Sequence, residues 1–215
     1  FKIETKKESC LVKLRSKNIK LLKDNFIYQD SMEHDACGVG LVASTDGVKS
    51  RKVVEHGIEA LKAVWHRGAI DADGKTGDGA GIHLEIPKDF FAEKIEVTGH
   101  THDGSDICVG MIFLPRNDYT SQESCKTIVE SELTKNDFSI YGWRQVPVNP
   151  KVLGEKAFQT MPEIIQVLFK ANNKNLLDKD LERKIYETRK KIENKAFNLS
   201  LNNFYICSIS AKSII

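Results

Sequence analysis

The sequence contains no run approaching the roughly 18 consecutive apolar residues that a membrane span needs. Its best apolar stretch, Val109 to Leu114, is strand-sized. The N-terminus is rich in lysine but has no apolar h-region, so it does not read as a secretory signal. An excess of one charge is also missing. The 32 Lys+Arg against 30 Asp+Glu leave a formal net charge of +2, which offers no basic face for nucleic acid. Cysteine is sparse: Cys10, Cys37, Cys108, Cys125 and Cys207 are odd in number, widely spaced and form no C-x-x-C pair. Neither a zinc ribbon nor a disulfide framework is supported, and a reducing cytoplasm fits best. No internal repeat and no low-complexity tract is found, and position 1 is Phe rather than Met, which suggests a processed chain or a fragment. What remains is an ordinary globule of 215 residues, 40% apolar and 29% charged, long enough for one large domain or two small ones.

Residues 1–36 carry many lysines, few aromatics and no clear turn signals, and read as a weakly structured leader. At Cys37 the texture changes. Cys37-Gly-Val-Gly-Leu-Val-Ala43 is small and apolar, and Ser44-Thr-Asp-Gly47 supplies a turn, so a buried strand ending in a hairpin-type turn is predicted. Arg51 to Trp65 places Val54, Ile58, Leu61 and Trp65 on one helical face. His66 to Gly81 is crowded with Gly and Asp and reads as loop. Gly81 to Ile86 alternates like a strand and stops at Pro87, and Ile107 to Leu114 is a second strand stopped at Pro115. Later come a helix near Ser121–Leu133, strands at Phe138–Val148 and Ile164–Phe169, and a helix near Leu177–Glu193. The inward face of the last is Leu177, Leu181, Ile185 and Ile192. It carries Asp178 and Asp180 in its first turn and Lys190 and Lys191 near its end, as the helix dipole prefers. Phe204 to Ser210 closes as a strand. Helices and strands are therefore mixed.

Cys37 is the residue with the most chemical promise. A free cysteine at the head of a strand can simply be a small core hydrophobe. Here, however, it stands where a loose polar leader meets a tight apolar segment, next to Gly38 and Gly40, which lack the Cβ that would keep a substrate from the sulfur. Cleavage of the Ala36–Cys37 bond would give Cys37 a free α-amine with an ordinary pKa of roughly 8, suited to act as general base. A thiol and its own amine then suffice for nucleophilic catalysis. A Cys–His pair using His66 or His83 is the rival arrangement, and spacing excludes neither. His34, His56, His100 and His102 show no metal spacing. The loop from His66 to Gly81 is the densest glycine cluster, but it matches neither G-x-x-x-x-G-K-[ST] nor G-x-G-x-x-G. It reads either as a solvated loop or as a loop folded against the Cys37 strand, with Arg67 and Asp78 paired behind the site.

His34-Asp-Ala-Cys37-Gly-Val-Gly40, His66-Arg-Gly-Ala69 and Gly77-Asp-Gly-Ala-Gly-Ile82 resemble the class II glutamine amidotransferase domain. Four further segments are similar to the glutamate synthase branch of that family: Gly110–Arg116, Gly142–Val148, Leu181–Tyr186 and Phe204–Ser210. The resemblance runs from about residue 31 to Ile215. It implies an α+β, N-terminal nucleophile hydrolase-type fold, a four-layer αββα sandwich that is C-terminally incomplete here, with residues 1–36 as propeptide and 37–215 as the amidotransferase domain. It implies that Cys37, freed from Ala36, attacks the side-chain amide of L-glutamine, with Arg67, Gly68, Asp78 and Gly79 in a supporting loop. The family's carboxylate-binding arginine and Asn-Gly oxyanion hole find no matching motif, so no substrate-binding residue is assigned and this chain alone is expected to be nearly inactive. FMN and an iron–sulfur cluster are implied only for the parent protein, not for this chain. The implied partners are the rest of the glutamate synthase large subunit and either a small NAD(P)H-oxidising subunit or ferredoxin. An amidotransferase with another ammonia acceptor, or an inactive docking module, are the competing readings.

Overall fold

The computed structural model describes residues 17–21, 23–25, 38–64, 70–77 and 79–215. The chain divides into two units, Phe1–Val39 and Gly40–Ile215. In the first, residues 17–21 and 23–25 are helical and Asn25 Nδ2 donates to Leu21 O at 3.0 Å. These residues are thus more ordered than the composition of 1–36 suggests. Lys17, Lys20, Leu21 and Lys23 are good helix formers.

The second unit is built on a four-stranded antiparallel sheet. Its strands are β2 (Cys108–Leu114), β3 (Phe138–Gln145), β4 (Glu163–Ala171) and β5 (Tyr205–Ser210), in the spatial order β3-β4-β2-β5. A two-residue ribbon pairs β1 (Leu84–Glu85) with β6 (Ser213–Ile214). The helices are α1 (Arg51–Ala63), α2 (Lys88–Val97), α3 (Tyr119–Lys135), α4 (Glu155–Thr160) and α5 (Asp178–Asn198), with a 3-10 turn at Pro150–Val152. The architecture is α+β, with helices and two antiparallel sheets.

The alternation of the central strands explains why the sheet is covered on both faces. On β4, Ile165, Val167 and Phe169 point to one side and Leu168 to the other. The first side packs against Cys125, Ile128, Val129 and Leu133 of α3 and Leu181, Ile185 and Ile192 of α5, making the larger core. The second packs with Phe91 and Ile95 of α2, with Ile86, and with Ile214 of the ribbon. The two central strands, β2 and β4, are therefore apolar along most of their length, as burial on both faces requires. Helix α3 starts where Asp118 accepts a hydrogen bond from Ser121 N at 3.0 Å, a conventional N-cap.

Several sequence expectations are corrected. Residues 38–44 form no strand, and Val39 and Leu41 are 93% and 91% exposed. Their apolar pattern has no neighbouring strand to complete it among the described residues. The turn that follows does form, closed by Gly47 N donating to Ser44 O at 3.3 Å. The strand expected at 81–86 shrinks to Leu84–Glu85, because β6 offers only two residues to pair with. Leu177 is the N-cap of α5 and is exposed, one step outside the stripe that buries Leu181, Ile185 and Ile192. That helix also runs past Glu193 to Asn198, so Lys195, not Lys190 or Lys191, occupies its last turn. In α1 no residue is fully buried, although Val54 and Ile58 are half covered, and Trp65 lies outside the described residues.

Candidate functional site

Of the residues assigned to the site from sequence, Ala36, Cys37, Arg67, Gly68 and Asp78 lie outside the described residues, as does His66. Gly79 is described and sits in exposed loop with open space where a Cβ would point. Gly40 has the same open surroundings. His83, the other candidate partner for a Cys–His pair, is exposed.

Between the two parts of the expected supporting loop, the chain builds a small hairpin. Ile70 and Gly77 form an antiparallel bridge. Asp71 N donates to Thr76 O at 2.7 Å, and Gly74 N donates to Asp71 O at 2.9 Å. The turn is organised by Asp73. Its Oδ1 accepts from Lys75 N at 2.9 Å and Thr76 N at 2.7 Å, and its Oδ2 accepts from Thr76 Oγ1 at 2.5 Å. The same Oδ2 also accepts from Glu155 N at 3.0 Å, the first amide of α4. The Thr76 hydroxyl above all, then the Thr76 and Lys75 amides, hold the Asp73 carboxyl down at about 2. This carboxylate is ionised at any physiological pH.

Helix α4 needs that carboxylate. Its own N-cap residue is Gly154, which has no side chain to satisfy the first-turn amides. Asp73 supplies the acceptor from a distant part of the chain. Lys156 Nζ adds an ion pair to Asp71 Oδ2 at 2.6 Å. The approach is so close that a Cβ at Gly154 would collide with Thr76 Oγ1 and Asp73 Oδ2 and would lie 2.5 Å from Thr76 N. Sequence reasoning missed all of these residues. The Asp71-x-Asp73-Gly74 run is a recognisable side-chain-capped turn signal. Nothing in the sequence marks Gly154 as its partner.

The described thiols are unsuited to nucleophilic work. Burial, with the negative charges of Glu182 and Asp106 next, pushes the Cys108 thiol far up. Burial raises Cys125 to about 11, and it raises Cys207 as well. Each stays protonated at neutral pH, and the thiolate is the reactive form. Cys108 and Cys125 are packed inside the larger core. Among the described residues no group of three or more His, Cys, Asp or Glu could hold a metal ion, so these residues do not fit an iron–sulfur cluster. Three of the four described histidines make local contacts: His56 Nδ1 with Glu59, His100 Nδ1 with Thr98 Oγ1, and His102 Nε2 with Ser105 O.

An α+β unit with a glycine-containing segment outside any strand at 38–44 and a glycine-containing hairpin at 70–77 fits the class of domain that the sequence motifs imply. Comparison with known proteins places it: residues 37–215 match the family model of the class-II glutamine amidotransferases, and the chain belongs to that family. It is 53% identical over 188 residues to the glutamate synthase [NADPH] large chain of Azospirillum brasilense, an alignment covering 87% of this chain and 12% of that protein. It is 39% identical over 189 residues to ferredoxin-dependent glutamate synthase 1, chloroplastic/mitochondrial, of Arabidopsis thaliana, covering 85% and 11%. The ferredoxin-dependent glutamate synthase of Pyropia yezoensis is likewise 39% identical, covering 85% of this chain and 12% of its own length. The chain thus spans about an eighth of the length of these curated relatives. No described helix is long and apolar enough to cross a membrane.

Proposed function

We propose that this chain is the glutaminase portion of a glutamate synthase, with Cys37 as an N-terminal nucleophile freed by removal of residues 1–36. The observation that carries this reading is that the family match begins at Cys37 itself, the residue where polar leader gives way to a small apolar segment. The free α-amine of Cys37 takes the thiol proton, and the sulfur attacks the side-chain amide carbon of glutamine. The C–N bond breaks, ammonia leaves with the proton returned by the amine, and a γ-glutamyl thioester remains. Water activated by the same amine then attacks the thioester, releasing glutamate and restoring the thiol. Arg67, Gly68, Asp78 and Gly79 support the nucleophile from the glycine-rich loop. The raised thiols of Cys108, Cys125 and Cys207 support leaving this chemistry to Cys37.

In the parent protein, the ammonia is consumed with 2-oxoglutarate to make a second glutamate, a step that needs the remainder of the large subunit, FMN and an iron–sulfur cluster. Electrons come from a small NAD(P)H-oxidising subunit or from ferredoxin. The names of the relatives span both NADPH and ferredoxin. A reducing compartment, the cytoplasm, is part of the same reading, since Cys108, Cys125 and Cys207 are free thiols.

The test is made in the full-length protein. Cys37→Ala is expected to abolish glutamine-dependent glutamate formation and leave ammonia-dependent formation measurable. Glutamine turnover surviving in that variant overturns the reading, as does an active enzyme whose N-terminal sequencing shows Ala36 still attached.

A further inference from the structure

We propose that Asp73, Thr76 and Gly154 form an intrachain latch that positions the glycine-rich loop of the glutaminase site, an inference that rests on the function proposed above. The two parts of the expected supporting loop, Arg67-Gly68 and Asp78-Gly79, leave from opposite ends of one hairpin. That hairpin is closed by the Ile70–Gly77 bridge. Asp78 follows Gly77 directly, and Ile70 is only two residues from Gly68. Fixing the hairpin fixes the two points, Ile70 and Gly77, from which both parts of the chain continue.

The hairpin is held at its tip. Asp73 uses one carboxylate oxygen for the turn's own amides at Lys75 and Thr76. The other is shared between the Thr76 hydroxyl and the first amide of α4. A single rigid group therefore belongs to both elements. The Asp71–Lys156 ion pair makes a second point of attachment, which fixes the hairpin's rotation as well as its position. Gly154 completes the fit by having no Cβ, so the tip of the turn rests on backbone. A six-residue helix has little stability alone, so hairpin and helix hold each other. Exposed ion pairs and hydrogen bonds of this kind add little to global stability. Their value lies in placement, where a displacement of about 1 Å remote from the chemistry can cost as much as 10²-fold in rate.

Asp73, Thr76 and Gly154 are positioning residues, since the site residues lie outside the latch itself. The experiment compares Gly154→Ala, Thr76→Val and Thr76→Ser in the full-length protein, measuring glutamine-dependent and ammonia-dependent glutamate formation and the thermal midpoint of each. Gly154→Ala is expected to lower glutamine-dependent kcat roughly 10- to 100-fold. The KM for glutamine moves far less, because the latch orients supporting groups rather than binding substrate. Ammonia-dependent formation stays at the wild-type value; the thermal midpoint of Gly154→Ala is expected to fall, since its Cβ meets the Thr76 backbone, and the latch is read from the split between the two activities. Thr76→Val shows the same defect, and Thr76→Ser, which keeps the hydroxyl, restores turnover. The latch is overturned if Gly154→Ala retains wild-type glutamine turnover, if both activities fall together, or if Thr76→Ser is as damaged as Thr76→Val. The two readings fail separately: glutamine turnover that depends on Cys37 but survives Gly154→Ala sinks only the latch. A wild-type protein with no glutamine turnover, or with turnover indifferent to Cys37, sinks the glutaminase reading itself.

Discussion

Val109, Val167 and Phe169 are fully enclosed, while Val39 and Leu41, of the same chemical type, stand almost wholly in solvent. The contrast extends to whole regions. From residue 38 to 85 no described side chain is buried, whereas from Ile86 onward every strand of the four-stranded sheet and the long helices α3 and α5 contribute to a core. The region that the family motifs mark for chemistry is held by hydrogen bonds, turns and ion pairs. The region beyond it is held by apolar burial, worth about 1.5–3 kcal/mol for each large side chain. The lesson is that an apolar pattern specifies a buried strand only where a neighbour stands ready to pair with it and a layer to cover it.

This contrast can be tested by substitution. Phe169→Ala should do the most damage. Its ring is fully buried and meets Phe138 edge-to-face at 5.3 Å, so its removal is expected to cost about 3–5 kcal/mol, read as a lower denaturant midpoint. Gly110→Ala should follow. A Cβ there would lie 2.7 Å from Val167 Cγ1 in a closed core, and overpacking of this kind costs about 1–3 kcal/mol.

Glu132 sharpens the comparison through pH. Its hydrogen bond with Lys195, then the nearby charges of Lys195 and Lys135, keep its carboxyl below the ordinary glutamate range despite burial. A depressed folded pKa contributes stability that is fully present above the unfolded value, roughly 4.3, and is lost as pH falls through the folded one. Glu132→Gln should therefore lose about 1 kcal/mol at neutral pH and flatten the decline of stability in acid. A pH profile identical to wild type would contradict this role.

In the looser region, Gly57→Ala should act with the opposite sign to Gly110→Ala. Gly57 lies within α1, and a Cβ there would meet only Ile82 Cδ1, at 3.2 Å, the far end of a half-exposed side chain. The gain in helix propensity, about 0.5–1 kcal/mol, should appear as a raised midpoint. Leu41→Ser should change stability by less than about 0.5 kcal/mol, because the side chain is already in water. A large loss there would mean that the segment is covered.

The elements legible in the sequence were those with long, unambiguous periods. The apolar runs of β2 and β4 and the stripes of α3 and α5 appear where expected, because many burial positions per element leave little choice of structure. Helix α2 was missed, since only Phe91 and Ile95 face the core and two positions do not make a period. Helix α4 and strand β6 are too short to carry any pattern and exist through tertiary contact, whereas β1 lies inside the alternation at 81–86. At the candidate site, Cys37 and the glycine-rich loop drew notice through residue chemistry and family motifs. The Asp73–Glu155 hydrogen bond could not, because it joins residues 82 positions apart and one partner contributes only a backbone amide.

Gly154 has a practical consequence for anyone exchanging segments between related domains. The 70–77 turn and the start of α4 behave as one machined part delivered in two separate lengths of chain. A chimaera that takes one length from each parent inherits either a collision or a gap at the seam, so the two must be transplanted together.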